Sequence, residues 1–389
     1  MNHTDFIRAE GTRLVNSAGE TFQIRGVNLG NWFVPECYMS VTDVGNFETG
    51  VYTTERALRA MKANPALTDE QIEELYHLYM QSYVTEEDFR EIAKVGLNTV
   101  RLPFTWRDVT TDGVTLRPDG FRYLDWALDM CDKYGLYGIL DLHGAIGSQN
   151  QDFHSGEDAR FDLYGNPENR RKTIELWKKI ASHYKDRSTV LGYDLLNECR
   201  KAPGKFGGKL NSDFYDELYK DVRAVDPKHL IFIEYFTFPI HGVGVKHYNW
   251  ENVAVEYHIY NLTPFSQRVC LEMIRAMHLV SGNTGVPVYI GEFNAWSKVS
   301  DWDVSLDFFN SHGWSWSSWA YKANEYPYRH EYGKEHAGRD WGLYVLNQKP
   351  VDLSSASFEE IAEVYRNTTT DHARKTYIYD FYLRRLGKK

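Results

Sequence analysis

The sequence predicts an α/β fold, a single (β/α)8 TIM barrel with long loops on its C-terminal face, and three observations carry that expectation. Eight short aliphatic or β-branched runs alternate with longer amphipathic ones along the 389 residues. A residue able to hydrogen-bond or move a proton stands near the end of each run. The longest connections follow strands rather than helices, which in a barrel places them on the face where sites are built. A barrel of about 250 residues with such loops absorbs the whole length, so residues 1–389 read as one domain.

The candidate strands are IRGVN (24–28), NTVRLP (98–103), YGILDLH (137–143), GYDLLNE (192–198), LIFIEY (230–235), VAVEYHIY (253–260), VYIGEF (288–293) and WSWSSWAY (314–321). Between them the apolar spacing predicts helices over 86–96, 122–135 and 174–186. The first two end at Gly96 and Gly135, where a left-handed residue stops a helix. A doubly wound open sheet would show the same alternation. Eight units with polar ends favour closure. The connection 29–97 and the segments 144–170, 199–212 and 322–350, which follow the first, third, fourth and eighth strands, would wall a deep pocket.

A formal net charge of -10 would repel nucleic acid and anionic membrane, so neither is expected as a partner. No run approaches the roughly 18 apolar residues of a membrane span, and the first thirty residues lack the basic start and apolar stretch of a secretion signal. With that start taken as natural, the expected location is the cytoplasm. Cys37, Cys131, Cys199 and Cys270 show no zinc-type spacing and read as free thiols. Aromatic residues make up 15% of the chain, a surplus that suits a site stacking against flat apolar faces.

The strand ends carry Asn28, Arg101, His143, Glu198, Glu234, His258, Glu292 and Trp319. A single buried polar residue is usually structural. Eight at equivalent positions would each bear a desolvation cost without a packing return. Two of their carboxylates stand out on opposite sides of the barrel mouth, Glu198 closing the fourth strand and Glu292 the seventh. Such a pair suits glycoside hydrolysis, where one carboxyl protonates the departing oxygen and the other traps or stabilises the anomeric carbon.

The segments RGVNLGNWFVPE (25–36), YVTEEDFREIAKVGLNTVRLP (83–103), LDLHGAIGSQN (140–150), DLLNE (194–198), YHIY (257–260), YIGEF (289–293) and WSSWAYK (316–322) together resemble glycoside hydrolase family 5 of clan A, the group of cellulases, mannanases and exo-glucanases. The resemblance implies that Glu198 is the general acid/base and Glu292 the nucleophile. It further implies that Arg101 and Tyr260 bond to the nucleophile, Asn197 holds the sugar 2-hydroxyl, His143 and His258 shape the first subsite, and Trp319 floors it. Glu36 would cap the pocket beside a terminal sugar, as in the exo-acting β-glucanase branch. The chemistry asks Glu292, beside Arg101, to stay ionised and Glu198 to hold a proton at neutral pH. Carboxyl groups about 5 to 5.5 Å apart and retention of configuration are expected.

Cys199, Phe293 and Asn294 depart from the usual exo-glucanase residues and would border the sugar groove. With a cytoplasmic setting they make the chain similar to β-mannosidase-like members. The expected function is therefore a single catalytic domain, 1–389, that removes terminal β-mannose from short oligosaccharides such as N-glycan core fragments. An exo-β-1,3-glucanase or β-glucosidase is the alternative, and a non-catalytic sugar-binding barrel a third reading that has no need of both carboxylates. No cofactor and no metal are expected: HEYGKEH (330–336) is not HExxH, HGVGVK (241–246) lacks a third glycine, and PGKFGGKL (203–210) has Leu where a phosphate loop needs Ser or Thr. Oligomeric state is not readable from the chain.

Overall fold

The computed structural model describes residues 5–45, 52–157, 160–202, 207–235, 244–261, 265–296, 298–326 and 340–387. HEYGKEH and parts of the other two motifs (203–206 and 241–243) lie outside them. Eight parallel strands close into a barrel: β1 (Arg25–Asn28), β2 (Thr99–Thr105), β3 (Tyr137–Gly144), β4 (Val190–Asp194), β5 (Leu230–Glu234), β6 (Val253–Tyr260), β7 (Val288–Asn294) and β8 (Ser315–Ser318). Each pairs with the next, and β8 returns to β1 through Trp316↔Arg25, Ser317↔Gly26 and Ser318↔Val27. That closure sets aside the open sheet. β2 and β3 are buried at every position, because one face packs on helices while the other fills the barrel.

The barrel is apolar at one end and polar at the other. Near the N-terminal ends of the strands, Ile24, Tyr137, Ile139, Leu191, Leu230, Phe232, Ala254 and Tyr289 form a buried cluster. Ile7 and Leu14, from the N-terminal segment and its hairpin, close it from below. The C-terminal half instead holds Arg101, Asp141, Asp194 and Glu256, all fully buried. Burying so many charges is tolerable only where they face one another.

Several boundaries differ from the sequence expectation. β4 ends at Asp194, not at Glu198: Leu195 and Leu196 continue the apolar run after the ladder has stopped, and the chain then enters the left-handed region at Glu198 (φ 45°). β8 ends at Ser318, and Trp319 is joined to Ala320 by a cis peptide bond. Arg101 lies inside β2 rather than at its end. The predicted 174–186 helix begins already at Pro167, with Asn166 accepting from the Glu168 amide and Pro167 in the first turn. Its polar opening residues concealed that start.

The connection after β1 contributes the helices Thr54–Ala63, Asp69–Tyr83 and Glu86–Lys94. Lys322, just past β8, anchors this layer. Its buried ammonium donates to the Tyr83 carbonyl (2.7 Å) and the Thr368 carbonyl (3.2 Å) and pairs with Asp88 (3.2 Å). Burial lowers its pKa even against the pull of Asp88. Glu91 accepts from Tyr344 (2.8 Å) and Tyr379 (2.6 Å), fastening the C-terminal helix Tyr377–Arg385 to the same layer.

Candidate active site

Arg101 organises the polar end of the barrel. Its Nη1 donates to Glu292 Oε1 (2.9 Å) and Asn28 Oδ1 (3.0 Å), and its Nη2 to Asp194 Oδ2 (2.6 Å) and Asn197 Oδ1 (2.9 Å). Asp141 lies 3.1 Å and Glu256 3.6 Å from the same guanidinium. The second oxygen of Glu292 accepts from the Tyr260 hydroxyl (2.7 Å). Glu292 is therefore held on both oxygens by donors.

A bulge between β6 and β7 sets this geometry. Tyr257 pairs with Ile290 and His258 with Glu292, so Gly291 is the extra residue. A Cβ at Gly291 would collide with the Glu256 carboxylate, so glycine is required there. Asn28 Nδ2 holds the Gly291 carbonyl (2.9 Å). The consequence is that His258 and Glu292 stand side by side on neighbouring strands.

Glu198 reaches the pocket from its left-handed turn. Its amide donates to Glu234, its carbonyl accepts from Asn150 Nδ2 (3.1 Å), and the preceding carbonyl of Asn197 accepts from Gln149 Nε2 (2.8 Å). The SQN segment after β3 is thus a brace for the turn. Oε1 of Glu198 faces His258 Nδ1 (2.8 Å) and Oε2 faces His154 Nδ1 (3.0 Å). One carboxylate oxygen each of Glu198 and Glu292 and a ring nitrogen of His258 all lie within 4.8 Å of one another.

The remaining residues expected from the sequence also meet here. His143 Nδ1 bonds to Asp141 Oδ2 (2.7 Å), and its ring stacks on Trp319 at 5.6 Å and 9°. Glu36 Oε1 is 3.8 Å from His143 Nε2, and Asn197 Nδ2 is 3.4 Å from the same nitrogen. Trp319 Nε1 donates to the Tyr38 hydroxyl (2.9 Å). Tyr38 and Tyr260 both neighbour Trp341, with ring centroids 4.7 and 6.2 Å away. Tyr38, Trp341 and His154 were not anticipated from sequence. The His154 signal was the position of a histidine just beyond LDLHGAIGSQN.

A family model described as "Cellulase (glycosyl hydrolase family 5)" matches residues 59–325. The chain belongs to glycosyl hydrolase family 5. Among curated family relatives, a β-xylosidase of Phanerodontia chrysosporium is 32% identical over 67% of this chain and 53% of its own length. A glucan 1,3-β-glucosidase of Candida oleophila is 29% identical over 73% of this chain and 68% of its own length. This chain thus spans about half the length of the xylosidase. Among solved structures, a rutinosidase from Aspergillus niger shares the fold with a TM-score of 0.64 at 17% identity, covering 78% of this chain and 90% of that one.

For this family 5 chain the structure corrects two expectations. Glu198 was expected to hold a proton. Burial does oppose its ionisation, but the hydrogen bonds and charges of His154 and His258 outweigh burial and pull the carboxyl well below its usual range. Both imidazoles shift upward, their own burial overcome chiefly by Glu198 for His154 and by Glu234, Glu292 and Glu198 for His258. These opposed shifts favour the ion pair in which a histidine, not Glu198, carries the proton. Secondly, Cys199 and Phe293 do not border the groove. Cys199 Sγ lies 3.3 Å from the Tyr215 hydroxyl, and Phe293 packs among Trp302, Phe309 and Trp316. Asn294 is buried as well, its side chain donating to the Trp341 carbonyl (3.3 Å).

Glu73, His77 and Asp119 also converge, on the outer surface, but Arg117 already supplies their positive charge, 2.8 Å from Glu73.

His143 supplies a pH signature. Burial opposes its protonation, yet Asp141, Glu36 and Glu292 push its pKa up to about 10. Because the folded value exceeds the ordinary one near 6.5, the associated stability is complete below about 6.5 and is lost as pH rises through about 10. Asp141→Asn removes the nearest anion and returns His143 toward neutrality. The stability advantage of the wild type over Asp141→Asn is thus expected to shrink between pH 7 and 10 in thermal melts. A constant gap would mean that His143 carries no charge in the fold.

Proposed function

We propose that this chain is a retaining, exo-acting β-glycosidase that cleaves terminal gluco-configured sugars, in the manner of an exo-β-1,3-glucosidase. The observation that carries the reading is the Glu198–Glu292 pair. One oxygen of each lies within 4.8 Å of the other, a close approach that supports the short carboxyl separation of a double displacement. Glu292, clamped by Arg101 and Tyr260, is the nucleophile. Glu198 is the acid/base, and Asn197, fixed by Arg101, is poised for the 2-hydroxyl. His143 and Trp319 form the floor of the first subsite. Glu36 beside His143 supports a closed, exo-acting end.

The mannosidase expectation loses part of its support once Cys199 and Phe293 turn away from the groove, although Asn294 holds the carbonyls of Trp319 and Trp341 at its edge. The relatives named above act on xylosides and glucosides, whose sugars share configuration at C2, C3 and C4, whereas mannose is inverted at C2. Family structures accept short oligosaccharides, as a β-glucanase from Saccharophagus degradans in complex with cellotetraose illustrates. Aryl β-glucoside, β-xyloside and β-mannoside should be compared directly, together with β-1,3-linked glucose oligomers. Faster turnover of glucoside or xyloside is expected, with the β-anomer released first by proton NMR. Preference for the mannoside would overturn the sugar assignment, and release of the α-anomer would overturn the mechanism.

A further inference from the structure

Glu198 is flanked by two histidines, and their surroundings differ. His258 lies in the barrel with its side chain 2% exposed, its Nδ1 facing Glu198 (2.8 Å), Glu292 (3.5 Å) and Glu234 (3.7 Å) and its Nε2 facing Glu256 (3.4 Å). Four carboxylates commit its proton. His154 comes from the loop after β3, on the 3-10 turn Phe153–Ser155. Its Nδ1 meets the other oxygen of Glu198 at 3.0 Å, while Nε2 lies 3.6 Å from Asp152 and makes no hydrogen bond. Asp152 is gripped by Arg200, with Nε at 2.7 Å and Nη2 at 2.8 Å. Exposure climbs along this line, from 14% at His154 to 28% at Asp152 and 47% at Arg200. The line leads from the buried carboxyl to solvent.

We propose that His154 is a positioning residue acting through Glu198: its Nδ1–H stores the proton that Glu198 delivers to the departing oxygen and later recovers. The inference rests on the hydrolytic reading above. In the free site the proton sits on His154. When a glycoside fills the pocket, that proton crosses to Glu198 Oε2 and passes to the glycosidic oxygen as the C1–O bond breaks and Glu292 bonds to C1. The aglycone leaves as a neutral alcohol. In the second half Glu198 takes a proton from water as the water oxygen attacks C1 and releases Glu292, and the proton returns to His154. No net proton is consumed.

The charged groups facing His154 are Glu198 and Asp152, with Arg200 behind Asp152, His143 at a ring distance of 6.0 Å, and Glu36 beyond it. The anions outweigh the nearby imidazole, so they favour the protonated form of His154. In kcat/KM, the alkaline limb of the free enzyme then reports the His154–Glu198 pair rather than either group alone.

His154→Ala and His154→Asn separate proton storage from hydrogen bonding, because asparagine can still donate to Glu198 but cannot titrate. On a glycoside with a poor leaving group, both variants are expected to move the alkaline limb down by about one pH unit or more and to lose about 10- to 100-fold in kcat/KM at pH 8. An aryl glycoside with a strongly acidic leaving group needs little protonation and should lose much less. A limb left in place, or wild-type behaviour restored by asparagine, would overturn the proposal. Imidazole NMR provides an arm independent of turnover: the His154 titration should fall by at least one unit in Glu198→Gln, and an unchanged titration would refute the pairing. Absence of hydrolysis by the wild type would sink the functional reading while leaving this NMR test intact.

Discussion

Glu292→Ala is expected to lower kcat on aryl β-glycosides by about 10⁴-fold or more, because no covalent intermediate can form without it. Its removal leaves a gap beside Arg101 and Tyr260, on the face from which Glu292 approaches C1. Azide should enter that gap and restore cleavage of a substrate with a good leaving group, forming the α-glycosyl azide. Glu198→Ala should behave differently. Loss of general acid assistance costs about 10²- to 10⁴-fold where the leaving group is poor and much less where it is good. Azide should then intercept the glycosyl-enzyme from the Glu198 side and yield the β-glycosyl azide. Near-normal turnover in both variants would refute the mechanism, and interchanged azide anomers would exchange the two roles.

The strand positions that carry this chemistry were legible because a barrel strand declares itself by a short apolar run, and its inward face by period-two alternation. The same alternation held more than the residue-type argument used. Asp141 lies two residues before His143 and Glu256 two before His258, so both acids share the inward face with the histidines they contact. Phe293, next to inward-facing Glu292, had to point outward into the helical layer. His154, Tyr38 and Trp341 were hidden for another reason. They sit on loops, whose path depends on contacts such as Arg200 with Asp152 and Trp319 with Tyr38, not on any local period. The downward pull on the Glu198 carboxyl escaped notice for the same cause, since its second histidine arrives on a loop. The left-handed backbone at Glu198, which also turns Cys199 toward Tyr215, leaves no mark in the spacing of an apolar run.

Replacing Arg101 with leucine should produce the largest loss of stability of any single change in the pocket. The guanidinium is fully buried and faces Asp194 at 2.6 Å, Glu292 at 2.9 Å, Asp141 at 3.1 Å and Glu256 at 3.6 Å. Neither oxygen of Glu256 has a hydrogen bond, so its charge depends on Arg101 and on His258. Removing one partner of a buried ion pair costs about 3–5 kcal/mol, because the remaining charge can neither hydrate nor pair. Arg101→Lys should recover part of the loss, since it retains charge but not the fork that reaches Asp194, Asn197, Asn28 and Glu292 together. The pH dependence has a definite sign. Burial and Glu256 hold the Asp194 pKa well above the ordinary carboxylate range, with Arg101 opposing them. A carboxyl raised in the fold contributes stability that is complete below its unfolded value and is lost as pH rises through its folded value. Without Arg101 the folded value climbs further, so the variant should go on weakening at pH values where the loss in the wild type is already complete. Denaturant melts should therefore show the gap between them widening toward alkaline pH, and a gap that stays equal as pH rises would mean that Arg101 acts by packing rather than by charge.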